Sequence, residues 1–450
     1  MLINIFYNYS LRFFVFLFIC VGLCEFISTF SYFLCIGFLI TAIIDIIRTT
    51  NFRIQSYILW CILISIAEIL SRISGAQVAY EFGKYAIILL SVLLFVLNSI
   101  KPSNFILFLL LVLLIPGIFI GKSVEEITVY KNFAFYMSGQ FCFIFALVCL
   151  YKVKISVEFY YLILKLIFVC CFLLSFFLFL KSPDLSEISF TTEANFQASG
   201  GFGPNQVSTV LGFGLFSGII LLLNGKTFFK NKIFDVFLIL FLCFRILLTF
   251  SRGGATAAVI SLLIYLLLYF IFLYKYQPQQ SRKIFVNIFI VLFVLTVIWN
   301  IVDNLTEGIL SKRYIETVID DEDQNFSIKD SRVSIAELEI ESFVNNVYFG
   351  QGVGGSQRYR NEVHGLRALS HNELTRLLGD HGLLGLIFII ILFVLIFLIF
   401  LNSGKRLSIN NIALFSLAIL TYLHSSTRLS FTCFLLALSY VLIIHNPKTK

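Results

Sequence analysis

Apolar runs long enough to cross a membrane, separated by short polar breaks, follow one another along most of this chain. An α-helix rises about 1.5 Å per residue, so a hydrocarbon core of about 30 Å takes about 20 mostly apolar residues. On that measure the pattern predicts about fourteen transmembrane helices. They lie near residues 9–26, 29–47, 55–73, 84–100, 104–120, 132–151, 157–180, 205–223, 233–250, 254–274, 284–301, 382–401, 411–425 and 430–445. The first two are the least sharply divided, because Leu11 to Ile47 has no clear polar break. No basic stretch followed by a small-residue cleavage site opens the chain, so its first run reads as a retained span.

Composition agrees with the pattern. Of 450 residues 59% are hydrophobic and 13% charged, with a mean hydropathy of +0.95, whereas soluble chains carry about a quarter charged residues. The expected fold class is an all-α polytopic membrane protein with about 12–14 transmembrane helices. Lysine and arginine bias sets the orientation: with both termini cytoplasmic, Arg48, Arg53, Lys101, Lys152, Lys154, Lys226, Lys230, Lys232, Lys275, Arg282, Lys283, Lys405, Arg406, Lys448 and Lys450 all fall inside. Residues 181–204 and a longer stretch from Asp303 to His381 then face outward, and loops of that length are usually functional or disordered. The chain divides into N-terminal helices (1–181), central helices (182–301), a large outer loop with helices of its own (302–381) and C-terminal helices (382–450). The net charge of +8 follows from the lysine and arginine bias, and no basic block points to nucleic acid. All ten cysteines lie in apolar runs without a CxxC, and read as small buried hydrophobes.

Within the large loop, DSRVSIAELEIESFVNN (Asp330–Asn346) places Val333, Ala336, Ile340 and Val344, with Val347 just beyond, at helical spacing behind Ser331 or Asp330 as cap and Arg332 in the first turn. It predicts an amphipathic helix packed through those apolar residues. GQGVGG (Gly350–Gly355) matches GxGxxG letter for letter, but no strand precedes it and no helix opens on its last glycine, so it reads as a tight turn. A basic run follows (Arg358, Arg360, His364, Arg367), then SHNELTRLLGDHGLLGL (Ser370–Leu386), which enters an unbroken apolar run. The zinc-protease spacing HExxH is absent, and the ten-residue separation of His371 and His381 turns them about 80° apart on a straight helix, so no metal pair is read here.

An ionisable residue in a span is costly and marks a functional candidate. Arg245 and Arg252, in FRILLTFSRGGA, stand seven residues apart and would share one helix face, forming an anion-binding lining beside Gly253 and Gly254. Glu68 with Arg72 reads as a structural ion pair and Lys165 as a snorkelled or paired lysine. His424 and Arg428 face the same outer compartment. In GGFGPNQ, Asn205 and Gln206 top a span, where amides either hold a ligand or cap the helix.

SRGG at the outer end of one span, the Arg332-led helix closing on a glycine turn, and HN followed by nine residues and G-L-L-G together resemble the O-antigen ligase and polymerase superfamily. His371, Asn372, Gly382 and Gly385 match the ligase signature H-[N/S/Q]-x9-G-x-x-[G/T/Y] without a gap, and the resemblance covers roughly Gly200 to Phe400. It implies a GT-C-like membrane glycosyltransferase in the bacterial inner membrane, with the large loop periplasmic. Its donor would be a glycan on undecaprenyl diphosphate, and its acceptor lipid A-core or a second lipid-linked glycan. By this resemblance Arg252 and Arg332 bind the diphosphate, His371 takes the acceptor proton, and Asn372 and Glu373 orient the acceptor or the histidine; Arg245 and Asn205 join the candidate substrate-binding residues from their own positions. No metal or other cofactor is implied, although Asp321 and Asp323 in DDED have the spacing of a metal-binding pair and read here as a solvated loop. Ligase, polymerase with a chain-length regulator as partner, and protein-directed transferase stay open. A transporter is disfavoured, because its polar groups would sit near the midplane rather than in one outer loop.

Overall fold

The computed structural model describes residues 10–76, 78–79, 81–120, 129–229, 231–319, 332–366 and 368–445. Asp321, Asp323, Asp330, Ser331 and Arg367 lie outside the described residues. Among the described residues the chain forms eighteen α-helices and one small parallel sheet. The N-terminal section holds α1 (Ser10–Phe26), α2 (Ser28–Arg48), α3 (Arg53–Ser74), α4 (Phe82–Val96), α5 (Leu109–Ile120, led by a 3-10 turn from Pro102), α6 (Val129–Leu150) and α7 (Val157–Lys181). The central section holds α8 (Pro204–Leu223), α9 (Lys232–Leu248), α10 (Arg252–Tyr276) and α11 (Pro278–Leu305). Four shorter helices make the large loop: α12 (Ile309–Ile319), α13 (Arg332–Asn345), α14 (Gly355–His364) and α15 (Glu373–His381). The chain then runs through α16 (Leu383–Asn402), α17 (Lys405–His424) and α18 (Ser430–Leu438).

Every predicted span coincides with a helix, so the all-α polytopic class holds. Among the described residues eight helices are long and apolar enough to cross a membrane by length and composition, and the other predicted spans fall on α1, α4, α6, α9, α11 and α18. The predicted span at 430–445 is corrected: α18 has nine residues, and Leu442–Ile444 instead forms a strand parallel to Lys154–Ser156. Nine residues rise only about 13 Å, and the extended segment that follows carries the chain to the end of the bundle where α7 begins.

Burial separates core helices from peripheral ones. In α3, 89% of the best spanning window is buried, against 33% in the very apolar α16. A helix facing lipid must be apolar all round, whereas a helix wrapped by others can carry polar groups that find partners. Accordingly Glu68 and Arg72 of α3 pair at 2.7 Å, and Ser430 donates to the same carboxylate at 2.8 Å.

Close approach of α8 and α10 depends on glycine. A Cβ on Gly254 would lie 2.2 Å from the Ser208 backbone carbon, and one on Gly212 would lie 2.7 Å from the Gly254 carbonyl oxygen. The glycines of SRGG therefore admit neighbouring helices rather than a ligand, since Gly253 abuts the His424 ring in the same way.

The amphipathic helix was predicted with the wrong face inward. In α13 the buried residues are Ile335, Glu339 and Ser342, while Val333, Ile340 and Val344 stay exposed. The cause is an ion pair: Glu339 meets Arg360 of α14 at 2.6 Å with both side chains fully buried, and two buried charges outweigh a row of valines.

We expect Gly254→Ala to lower the thermal midpoint, at a cost of about 1–3 kcal/mol for overpacking against a backbone that cannot yield. Gly22→Ala in α1, where an added Cβ meets nothing within 4 Å, serves as the control and should leave the midpoint unchanged or raised.

Candidate active site

One end of the bundle gathers the starts of α4, α8, α10, α16 and α18 with the ends of α3, α7, α9 and α17. There Asn205, one residue into α8 behind Pro204, holds three elements together. Its Oδ1 accepts from Ser251 Oγ at 2.7 Å and from Arg332 Nη2 at 2.7 Å. Ser251 stands at the N-cap of α10 yet makes no capping bond with its side chain, because the hydroxyl is turned to Asn205. A single amide oxygen thus ties the GPN turn, the SRGG helix start and the first residue of α13.

Four arginines converge around this point. Arg252 reaches the Arg313 carbonyl at 3.5 Å, Arg313 donates to the Thr192 carbonyl, and Arg428 donates to the Ser370 carbonyl at 3.0 Å. Crowding by protein and by Arg252, Arg313 and Arg428 pulls Arg332 down to about 10, although the residue as a whole is exposed. A guanidinium held by a neutral oxygen, as those of Arg313 and Arg332 are, keeps its charge for an anion.

His371 follows Ser370 directly. It is half-buried, and its Nδ1 is enclosed without a hydrogen-bond partner. Burial, then Arg428, Arg332, His424 and Arg360, push its pKa from 6.5 to about 3. The ring is neutral near pH 7 and so has a lone pair for a proton.

The neighbours of His371 serve structure first. Asn372 caps α15, its Oδ1 accepting from Leu374 N at 3.0 Å and Thr375 N at 3.3 Å. Glu373 is fully buried and meets Arg376, Gln140, Ser426 and Thr427, which locks α15 to α6 and to the turn after α17. His381 is buried against Gly117 rather than interfacial. The GQGVGG turn wraps Asp380: Gly354 N and Ser356 N donate to its carboxylate at 3.2 and 3.0 Å, and Gly350, Gly352 and Gly354 all have positive φ. One expectation is corrected, since α14 does open on Gly355, the last glycine of the turn; the amides of the turn are nonetheless occupied by protein, so no nucleotide phosphate is cradled there.

Arg245 and Arg252 do not share a face. Phe250 takes a left-handed φ of 53°, α9 ends at Leu248, and Arg252 begins a new helix. Arg245 is buried and donates to Ser182 Oγ at 2.9 Å and the Ala198 carbonyl at 3.0 Å, fastening the 182–203 loop to the bundle. Spacing alone could not show that break, because Thr-Phe-Ser carries neither glycine nor proline. Arg313 was missed for want of a motif around it, and Arg428 was noted only as facing the same side.

With this geometry in view, residues 237–390 match the family model described as O-antigen ligase. That segment, about a third of the 450-residue chain, is similar to the O-antigen ligase family. No curated protein matches it. The O-antigen ligase segment begins in α9, ends in α16 and contains Arg252, Arg313, Arg332 and His371, while Asn205 and Arg428 approach from either side of it. The match supports membrane glycan processing of the ligase or polymerase type.

Removing Arg360 would strand Glu339 in the wall behind His371. Arg360→Met should cost about 3–5 kcal/mol in thermal or denaturant unfolding, and Arg360→Met/Glu339→Leu should recover most of that loss, because no buried charge then lacks its counterpart.

Proposed function

We propose that the protein is an inverting, metal-independent glycosyltransferase that moves a glycan from undecaprenyl diphosphate to an acceptor hydroxyl on the outer face of the bacterial inner membrane. The observation that carries this reading is the Asn205 junction, which ties Arg332 to the helix start bearing Arg252, while Arg428 bonds the carbonyl of the residue before His371. The arginines bind the diphosphate and stabilise the charge that grows on it as the bond breaks. The acceptor oxygen attacks the anomeric carbon, the bond from that carbon to the phosphate oxygen breaks, and the acceptor proton passes to His371. Undecaprenyl diphosphate leaves and the sugar inverts. Asn205 acts through Arg332, as a positioning residue. Asn372 orients His371 from its cap, while Arg245 and Glu373 keep the walls in place.

The low proton affinity of free His371 fits an ordered reaction. A bound diphosphate offsets the cationic field of Arg332 and Arg428, so the histidine becomes a stronger base once the donor is present. Ligase action on lipid A-core is the preferred assignment within this class.

Three measurements test it. With undecaprenyl-diphosphate glycan and either lipid A-core or a second lipid-linked unit, product on lipid A-core supports the ligase, product on the second lipid-linked unit makes it a polymerase, and product on neither sinks the transferase. His371→Ala should reduce turnover at least 10³-fold while leaving donor affinity within about threefold, and Arg332→Ala should weaken donor binding; full activity in His371→Ala would remove the base assignment. Chelator should leave the rate unchanged, and its loss would redirect attention to Asp321 and Asp323.

A pH profile adds a separate check. The kcat/KM limb, which reports free enzyme, should show no histidine titration between pH 5 and 8, and the kcat limb should fall at higher pH than the kcat/KM limb. The sign for stability is opposite to that of a paired histidine: the folded value lies below 6.5, so the unfolded chain takes up the proton first and the fold loses stability as pH drops from 6.5 toward 3.

A further inference from the structure

His424 closes α17, and the chain from there to Arg428 stands between the Asn205 junction and the segment that carries His371. His424 lies at the junction end. Its ring is buried and fills the notch left by Gly253, where an added Cβ would fall 2.3 Å from the ring Cδ2. Nδ1 is 2.9 Å from the Leu420 carbonyl, which can only accept, so that nitrogen carries a proton and Nε2 faces the Thr209 hydroxyl at 3.0 Å. Thr209, one turn along α8 from Asn205, donates to the Asn205 carbonyl at 2.6 Å. Ser208 beside it donates to the Ser251 carbonyl at 3.0 Å. His424 therefore packs against the first turns of both helices, α8 and α10, that the Asn205 side chain joins to Arg332.

The other end of the turn grips the base segment. Arg428 Nη2 donates to the Ser370 carbonyl at 3.0 Å, while Ser426 and Thr427 donate to the Glu373 carboxylate, the latter at 3.3 Å. These bonds fall on either side of His371 and Asn372. Ser426 takes a left-handed φ of 54°, which a residue with a Cβ keeps only where its surroundings fix it. Thr427 is pressed on α6 at Gly139, where an added Cβ would fall 2.3 Å from its own Cβ. Ser430, just beyond the turn, donates to Glu68 of α3 at 2.8 Å. One short segment is thus fastened to α3, α6, α8, α10 and α15.

Its position has a chemical consequence. The junction is built on the first turns of α8 and α10, whereas His371 belongs to the lead into α15, and a displacement requires leaving group, nucleophile and base in register. A misplacement of about 1 Å can cost about a hundredfold in rate. The turn touches both parts, yet it lies beyond residue 390, where the O-antigen ligase match ends.

We propose that the turn from His424 to Arg428 is the alignment element of the site: it sets the separation between the diphosphate-binding junction and His371. Thr209, His424 and Ser426 are positioning residues that act through Asn205 at one end and through the His371 segment at the other. The effect on turnover rests on the transferase reading, but the link itself can be measured without turnover.

The test uses full-length protein in lipid nanodiscs, with undecaprenyl-diphosphate glycan and the acceptor that supports turnover. Thr209→Val keeps the side-chain shape and removes the hydroxyl; it should lower kcat at least about tenfold and leave donor affinity within about twofold. Thr209→Ser, which restores the hydroxyl, should bring kcat to within about threefold of the wild type. Ser426→Ala leaves Glu373 its bonds to Arg376, Gln140 and Thr427 and should show the same split between kcat and donor affinity. Because both variants release one link, Thr209→Val/Ser426→Ala should cost no more than the worse single variant, whereas two unrelated defects would multiply. Wild-type kcat in Thr209→Val, an equal loss of donor affinity, or multiplied losses in the double variant overturns the proposal. A second measurement needs no turnover. The chain has five histidines, so labelling them with nitrogen-15 gives few NMR signals, and His371→Gln and His424→Phe assign two of them. Thr209→Val should move the signal of its neighbour His424 and also that of His371 across the turn; a His371 signal left in place overturns the proposal. Absence of wild-type turnover with either acceptor would instead count against the transferase reading, and the NMR comparison would still decide whether the turn transmits.

Discussion

A charge beside a lipid phase must be met by another charge or by several dipoles, and that constraint organises this molecule. Where the protein needs rigidity it answers arginine or lysine with a buried carboxylate, as in Arg72 with Glu68, Lys84 with Glu81, Arg360 with Glu339 and Arg376 with Glu373. Such pairs gain little net free energy against an apolar alternative, but half of one is very costly, so they fix which helices must meet. At the proposed site the answer is different. Arg313 and Arg332 are met by a carbonyl and an amide oxygen, which position a guanidinium without cancelling its charge. The same residue type thus makes walls in one place and a site a few residues away, according to its partner.

This distinction explains what could be read from the sequence. The spans were legible because lipid demands long apolar runs, and the reactive end was legible because SRGG, Arg332 and HN stand at the boundaries of those runs. Pairing within a helix was legible, as in Glu68 with Arg72, but pairing between distant elements was not. Nothing in the local sequence joins Glu339 to Arg360 across 21 positions or Glu373 to Gln140 across 233, and the face of α13 was misjudged for that reason. Arg245 looked like a ligand residue because spacing assumes a continuous helix, whereas Phe250 turns the chain in a way its side chain does not announce.

Glycine shows the same division between signal and meaning. GxGxxG suggested a phosphate cradle by spelling, yet its amides close on Asp380. The glycines of SRGG suggested space for substrate, yet they bring α10 against α8 and α17. Gly382 and Gly385, which carry the signature match, serve close packing: an added Cβ would fall 2.4 Å from the Val347 carbonyl oxygen and 2.1 Å from that of Leu377.

The clasp on Asp380 also has a mechanical side. Val353 N donates to the Gly117 carbonyl at 2.8 Å, and Leu383 N donates to that of Val347 at 2.7 Å, so the turn is bolted both to α5 and to the first residue of α16. With Glu339 and Arg360 joining α13 to α14, these three loop helices and the base of α16 form one stiff bracket. The loop cannot lift α15 by itself: the bracket ties His371 and Arg332 into one unit, so any displacement of the loop would move the two together.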